Sequence, residues 1–125
     1  MATILLVDDE SSVLQTVRML LTSEKHEVIP VTEGAKALEL INSDMEFDIL
    51  ITDLRMTPVD GMEILKATHL KRPNMPVIVI SAYCSSDTVS RALALGCATY
   101  IKKPFRIDEV LTAVREAVAD KETST

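Results

Sequence analysis

Ile4-Leu5-Leu6-Val7-Asp8-Asp9-Glu10 sets four aliphatic residues directly against three acids. An apolar run of that length without polar alternation suits a strand covered on both faces, as in a parallel sheet. The texture recurs in Val28-Ile29-Pro30-Val31, Ile49-Leu50-Ile51, Val77-Ile78-Val79-Ile80 and Tyr100-Ile101. Between these runs lie longer segments of helical period. Val13, Leu14, Val17, Leu20 and Leu21 share one stripe, with Ser12 and Gln15 spaced for a capping box. Asp60 and Glu63 are spaced the same way ahead of Ile64, Leu65 and Thr68, and Gly96 is a natural helix stop. Ile107, Val110, Leu111, Val114 and Val118 form the last stripe, with Asp108 and Glu109 in its first turn, where the helix dipole favours acids. Five β-α repeats predict an α/β fold: a single, doubly wound (βα)5 domain with helices on both faces of a parallel sheet. It is expected over residues 1–119, with 120–125 a polar tail or the start of a linker.

Length and composition agree with one domain. A chain of 125 residues can bury about two-thirds of its unfolded surface and needs no staple to fold. No apolar run approaches the roughly 20 residues that span a bilayer, and no signal peptide opens the chain, so a cytoplasmic protein without a membrane partner is expected. With 19 acidic against 13 basic residues and a net charge of −6, direct nucleic-acid binding is disfavoured. Four aromatics (Phe47, Tyr83, Tyr100 and Phe105) leave little for base stacking. Cys84 and Cys97 lack metal-site or redox-motif spacing and read as reduced thiols.

The polar residues just after each apolar run carry the chemistry, because ligands of open parallel sheets bind beyond the carboxyl ends of the strands. Asp8, Asp9 and Glu10 follow the first run, Thr52-Asp53 the third, Ser81-Ala82 the fourth and Lys102-Lys103-Pro104 the fifth. Thr32 and Glu33, after the second, read as helix-capping residues. Crowded carboxylates raise one another's pKa, and a divalent cation relieves the repulsion; a small set of hard oxygens favours Mg2+. Lys103 can neutralise a phosphoryl oxygen and Ser81 can donate to another. A carboxylate can serve as nucleophile towards phosphorus, and Asp53, at the end of the central strand, is the candidate, with Asp8 and Asp9 as metal holders.

With Leu5-Leu6-Val7-Asp8-Asp9-Glu10, Asp53-Leu54-Arg55-Met56 leading to Asp60-Gly61, Val79-Ile80-Ser81-Ala82 and Tyr100-Ile101-Lys102-Lys103-Pro104-Phe105 in order, the chain resembles the CheY-like receiver domains of two-component response regulators from Thr3 to about Ala119. The resemblance implies a flavodoxin-like sheet of order 2-1-3-4-5. It implies that Asp53 accepts a phosphoryl group from a sensor histidine kinase, a phosphotransfer protein or a small donor such as acetyl phosphate. Asp9, Asp53 and the main-chain carbonyl of Arg55 would bind Mg2+ directly, and Asp8 through water. Lys103 would contact the phosphoryl group beside a cis Lys103-Pro104 bond. Ser81 would swing towards the phosphate and Tyr100 inward behind it, altering the face around the fourth helix, fifth strand and fifth helix. Output is then a population shift rather than turnover, with a phosphorylation-dependent homodimer among its forms. Asp-Leu-Arg-Met resembles receivers of nitrogen-regulation-type transcriptional activators; the kinase and the output partner are not legible. Thr57-Pro58 departs from the family, whose proline stands one residue earlier. Arg55 and Tyr83, both bulky, would screen the acyl phosphate from water and slow its hydrolysis.

Two other classes compete. A phosphate-independent interaction module would keep the fold, but the full set Asp8, Asp9, Asp53, Ser81 and Lys103 argues against it. A small-molecule phosphatase acting through an aspartyl phosphate would need an acid two positions after Asp53 and a cap over the substrate. Arg55 stands at that position and the chain has no room for a cap. A flavin site fails for want of a Ser/Thr/Gly-rich phosphate loop after the first strand. Lys102, His26 and His69 read as solvent-exposed, Cys84 as a bystander, and Met19, Met45 and Met62 as core.

Overall fold

The computed structural model describes residues 2–54 and 60–123. Elements alternate throughout: β1 (Thr3–Val7), α1 (Ser11–Ser23), β2 (Glu27–Val31), α2 (Gly34–Ile41), β3 (Ile49–Thr52), α3 (Gly61–Lys71), β4 (Val77–Ser81), α4 (Ser86–Ala94), β5 (Cys97–Lys102) and α5 (Ile107–Thr123). The five strands form one parallel sheet in the order β2-β1-β3-β4-β5. The reversal of order falls between β1 and β3, so the ends of these two strands frame a crevice. Val7 pairs with both Val31 and Thr52, which levels the carboxyl ends of the first three strands.

Alternation along each strand divides the apolar runs between two cores. Leu5, Val7, Leu50, Val77 and Val79 face α2, α3 and α4 through Ala37, Ile41, Ile64, Leu65 and Ala92. Ile4, Leu6, Ile49, Ile51, Ile78 and Ile80 face α1 and α5 through Leu14, Val17, Leu21, Val110, Ala113, Val114 and Ala117. Both faces are covered, which is why β1, β3 and β4 carry no polar alternation. Edge strand β2 is only half-buried over Val28 and Ile29 and tolerates Pro30 where a central strand would lose a ladder bond. At the opposite edge, β5 shifts register against β4: Val77 pairs with Cys97 but Ile78 with Thr99, so Ala98 is an extra residue.

Several local expectations change. Helix α1 begins two residues earlier than a Ser12 cap would allow, with Glu10 at the N-cap position and no side-chain cap. The Asp8 carboxylate accepts the Glu10 N–H at 2.9 Å, which turns the chain into the helix early and leaves the Ser12 carbonyl to accept the Thr16 hydroxyl at 2.8 Å. Glu33 is the N-cap of α2 but makes no side-chain cap bond. Asp60 does cap α3, accepting the Glu63 N–H at 3.1 Å. Gly96, with φ +91°, follows the end of α4 in the left-handed conformation that a side chain resists. Met19 and Met45 are 73% and 45% exposed rather than core, whereas Met62 packs against the α2–α4 core. His26 is half-buried rather than solvated, its Nδ1 accepting the Ala2 N–H at 3.0 Å; His69 is exposed. Helix α5 continues through Thr123 because nothing after Ala119 breaks it. Among the described residues, no helix is long and apolar enough to cross a membrane.

Candidate functional site

At the crevice, strand ends and backbone bonds fix each side chain. The Asp8 N–H donates to Val31 O at 3.1 Å, and the Asp53 N–H to Val7 O at 3.0 Å, extending the ladder just past β1 and β3. Likewise the Lys103 N–H donates to Ser81 O at 2.9 Å, holding the residue that follows β5 against the end of β4. The Lys103-Pro104 peptide is cis.

From there the Lys103 ammonium donates to Asp53 Oδ2 at 2.8 Å, Asp8 Oδ2 at 3.0 Å and Glu10 Oε1 at 3.0 Å. Asp8 and Asp53 are 2% and 4% exposed. Burial pushes the Asp8 carboxyl above its usual range and the Asp53 charge adds to this, against the Glu10 N–H and Lys103, which pull it down. Burial alone would lower the Lys103 ammonium, but its bonds to Asp53, Glu10 and Asp8 outweigh that and hold it well above the ordinary lysine value.

One carboxylate oxygen from each of Asp8, Glu10 and Asp53 lies within 4.8 Å of the others. Three carboxylates against one ammonium (3 − 1) leave two negative charges uncompensated, all on hard oxygen donors. That donor set fits a divalent cation. Asp9 is exposed and lies outside this cluster, whose third acid is Glu10. The Arg55 carbonyl and the Thr57-Pro58 departure lie outside the described residues.

Two supporting residues escape a reading by residue type. The Thr52 hydroxyl, fully buried, donates to the Asp53 carbonyl at 2.9 Å. Gly61 packs on the same carbonyl, and its N–H donates to Leu54 O at 2.9 Å. Asp60 reads in sequence as a helix cap, but the close approach of Gly61 arises only when α3 folds back onto β3.

Ser81 is buried at the end of β4, and its Oγ accepts the Tyr83 N–H at 3.1 Å. The Tyr100 hydroxyl donates to the Tyr83 carbonyl, so the half-buried ring of β5 is tied to the loop that begins at Ser81. Burial raises the Tyr100 phenol pKa above its ordinary value. Cys84, half-buried in this loop, and Cys97, buried in β5, are both free thiols.

The Response regulator receiver domain family matches residues 4–115. The transcriptional regulatory protein ZraR of Klebsiella oxytoca is 35% identical over 116 residues, covering 93% of this chain and 26% of that protein. The chain spans about a quarter of the length of the curated relatives it matches first. Among solved structures, a CheY-like response regulator receiver domain protein from Methanospirillum hungatei superposes with a TM-score of 0.93 at 27% identity, covering 98% of both chains. The response regulator TrrA of Thermotoga maritima, in complex with Mg2+ and BeF, does so with a TM-score of 0.84 at 26% identity, covering 94% of this chain and 99% of that one. With a family match over nearly the whole sequence and the five-stranded order shared with such receivers, the chain belongs to the response regulator receiver domains, signalling domains of two-component systems.

Proposed function

We propose that Asp53 is the phosphoacceptor of this receiver, and that its modification is self-catalysed with Mg2+ in the pocket. The observation that carries the proposal is the Lys103 ammonium 2.8 Å from Asp53 Oδ2, both side chains largely withdrawn from water. An ammonium so placed can follow the charge from the carboxylate to a phosphoryl oxygen as transfer proceeds. Asp53 and Asp9, with the Arg55 carbonyl, would hold Mg2+ directly, and Asp8 through water. When bound, the cation draws together the carboxylates and the phosphoryl oxygens and spreads their charge. Thr52 and Gly61 keep the Asp53 backbone fixed, so the attacking oxygen does not wander.

Ser81 supplies a hydroxyl to the phosphoryl group, and Tyr100 follows the loop that Ser81 opens. Because Ser81 Oγ and the Tyr100 hydroxyl both engage Tyr83, drawing Ser81 away disturbs the contact that fixes the ring. The resulting shift alters the face formed by α4, β5 and α5 and is the output, to a cytoplasmic partner or through a homodimer. The donor is a sensor histidine kinase or a phosphotransfer protein. Tyr83, together with Arg55, slows loss of the phosphoryl group to water.

The test is intact mass after incubation with acetyl phosphate and Mg2+, beside an Asp53→Asn variant. A single phosphoryl adduct, absent from the variant and absent without Mg2+, is the expected result. No adduct, even at early times and with beryllofluoride as a mimic, would turn the assignment towards a phosphate-independent interaction module.

A further inference from the structure

The pocket contains one carboxylate beyond the buried pair, and it stands at the mouth. Asp8 and Asp53 side chains are 3% and 5% exposed, whereas that of Glu10 is 57% exposed. Glu10 Oε1 is nevertheless 3.0 Å from Lys103 Nζ, and a Glu10 carboxylate oxygen lies within 4.8 Å of oxygens on both buried acids. Its main chain is pinned on both sides. The Glu10 N–H donates to Asp8 Oδ1 at 2.9 Å, and its carbonyl accepts the Leu14 N–H at 3.0 Å as the first bond of α1. A carboxylate is therefore held on the solvent side of the buried pair, beside Lys103.

Resting on the assignment of Asp53 as phosphoacceptor, we propose that Glu10 is a charge gate that discriminates against freely diffusing, doubly anionic phosphodonors. With acetyl phosphate, an Asp53 carboxylate oxygen forms a bond to phosphorus as the phosphorus–oxygen bond to the acetyl group breaks, and acetate leaves with the electron pair. With phosphoramidate the phosphorus–nitrogen bond breaks instead, and ammonia leaves. Both donors deliver the same group to the same oxygen. At neutral pH acetyl phosphate carries two negative charges, whereas zwitterionic phosphoramidate carries a single net one. Glu10 does not touch the reacting atoms. It repels the donor through space and holds Lys103, which the donor's phosphoryl oxygen must win, so it is a positioning residue. A phosphoryl group carried by a docked protein is delivered at fixed distance and escapes most of this penalty.

The experiment measures phosphorylation of the full chain and of Glu10→Gln and Glu10→Asp variants, with each donor at saturating Mg2+. Low and high salt are compared, saturation is checked by calorimetric Mg2+ titration, and folding by thermal melting. Because Glu10 is exposed and screened, removal of its charge is expected to speed acetyl phosphate about three- to fivefold more than phosphoramidate. The preference should collapse towards unity near ~1 M salt, where the screening length is about 3 Å. Glu10→Asp, which keeps the charge, should keep the wild-type donor ratio. Equal acceleration with both donors, or a ratio indifferent to salt, would overturn the gate. A folded wild-type chain that takes phosphate from neither donor would instead overturn Asp53 as the acceptor.

Discussion

Gly61 lies so close to Asp53 that a Cβ at position 61 would stand 2.1 Å from the Asp53 carbonyl oxygen and 2.5 Å from Leu54 Cα. Both obstacles are backbone, so neither can rotate aside. Gly61→Ala should therefore push the start of α3 away from the end of β3, at a cost of about 1–3 kcal/mol typical of overpacking. Since the displaced atoms belong to the residue proposed as acceptor, Asp53 phosphorylation should slow by at least about tenfold, given how steeply such reactions depend on placement. Thermal melting and an acetyl phosphate time course read the two effects separately.

Arg72 is a stability determinant remote from the crevice. Its guanidinium donates to the carbonyls of Ile41, Leu40, Ser43 and Met45 at 3.0, 3.3, 2.9 and 2.6 Å, and lies 5.1 Å from the Phe47 ring centroid. One side chain thus ties together carbonyls at the end of α2 and in the loop into β3. Arg72→Met should lower stability by about 1–3 kcal/mol, and Arg72→Lys should recover only part of it, because an ammonium cannot reproduce the planar fork. The phosphorylation rate should not change.

Lys103→Met would leave Asp8, Glu10 and Asp53 facing one another with no cation. Removing one partner of a largely buried ion pair typically costs about 3–5 kcal/mol, and the exposed Glu10 contact adds little. The melting temperature without divalent cation should drop accordingly. Saturating Mg2+ should raise it more in the variant than in the wild type, since the repulsion to be relieved is larger. Equal Mg2+ stabilisation of the two proteins would show that Lys103 is not what balances the acids.

His26 should make stability pH-dependent. Burial, followed by the nearby amino-terminal charge, lowers its pKa, against a smaller upward pull from Glu24. Its Nδ1 must also stay unprotonated to accept the Ala2 N–H. Below an unfolded-state pKa near ~6.5 the unfolded chain binds a proton that the folded chain resists. Stability from this group is thus complete above that value and is lost as pH falls through it towards the lower folded pKa. Chemical denaturation between pH 7.5 and 5.5 should show the decline, and His26→Gln should flatten it.

The fold was largely written in the apolar runs, because strands buried on both faces leave no room for polar residues. Strand β5 was legible only at Tyr100-Ile101: small Ala98 and polar Thr99 hide the rest, and the register shift there is a tertiary event. Met19 misled because periodicity names a helix face without giving its width, and it falls beyond the edge of the α1 contact, while Met45 lies in the loop after α2 and not on a helix face. At the crevice, Asp8, Asp53, Ser81 and Lys103 could be anticipated from their positions at strand ends. The inward reach of Glu10 could not, since nothing distinguishes it in sequence from an ordinary first-turn acid. Thr52 and Gly61 stand in the quoted stretches, but their contacts with the Asp53 carbonyl arise only from the fold.

The extra residue at Ala98 sets the phase of everything that follows it on β5. Were the pairing regular from Val77 with Cys97 onward, Tyr100 would stand opposite Ile80 and Ile101 opposite Ser81. One inserted residue instead puts Tyr100 beside Val79 and Lys102 beside Ser81. Because neighbouring positions point to opposite faces, that single step sends the Tyr100 ring towards α4 and Ile101 towards α5. An irregularity at the far end of the sheet thus works like a half-turn in a ribbon, and sets where the Tyr100 ring and the chain into Lys103 arrive at the opposite end.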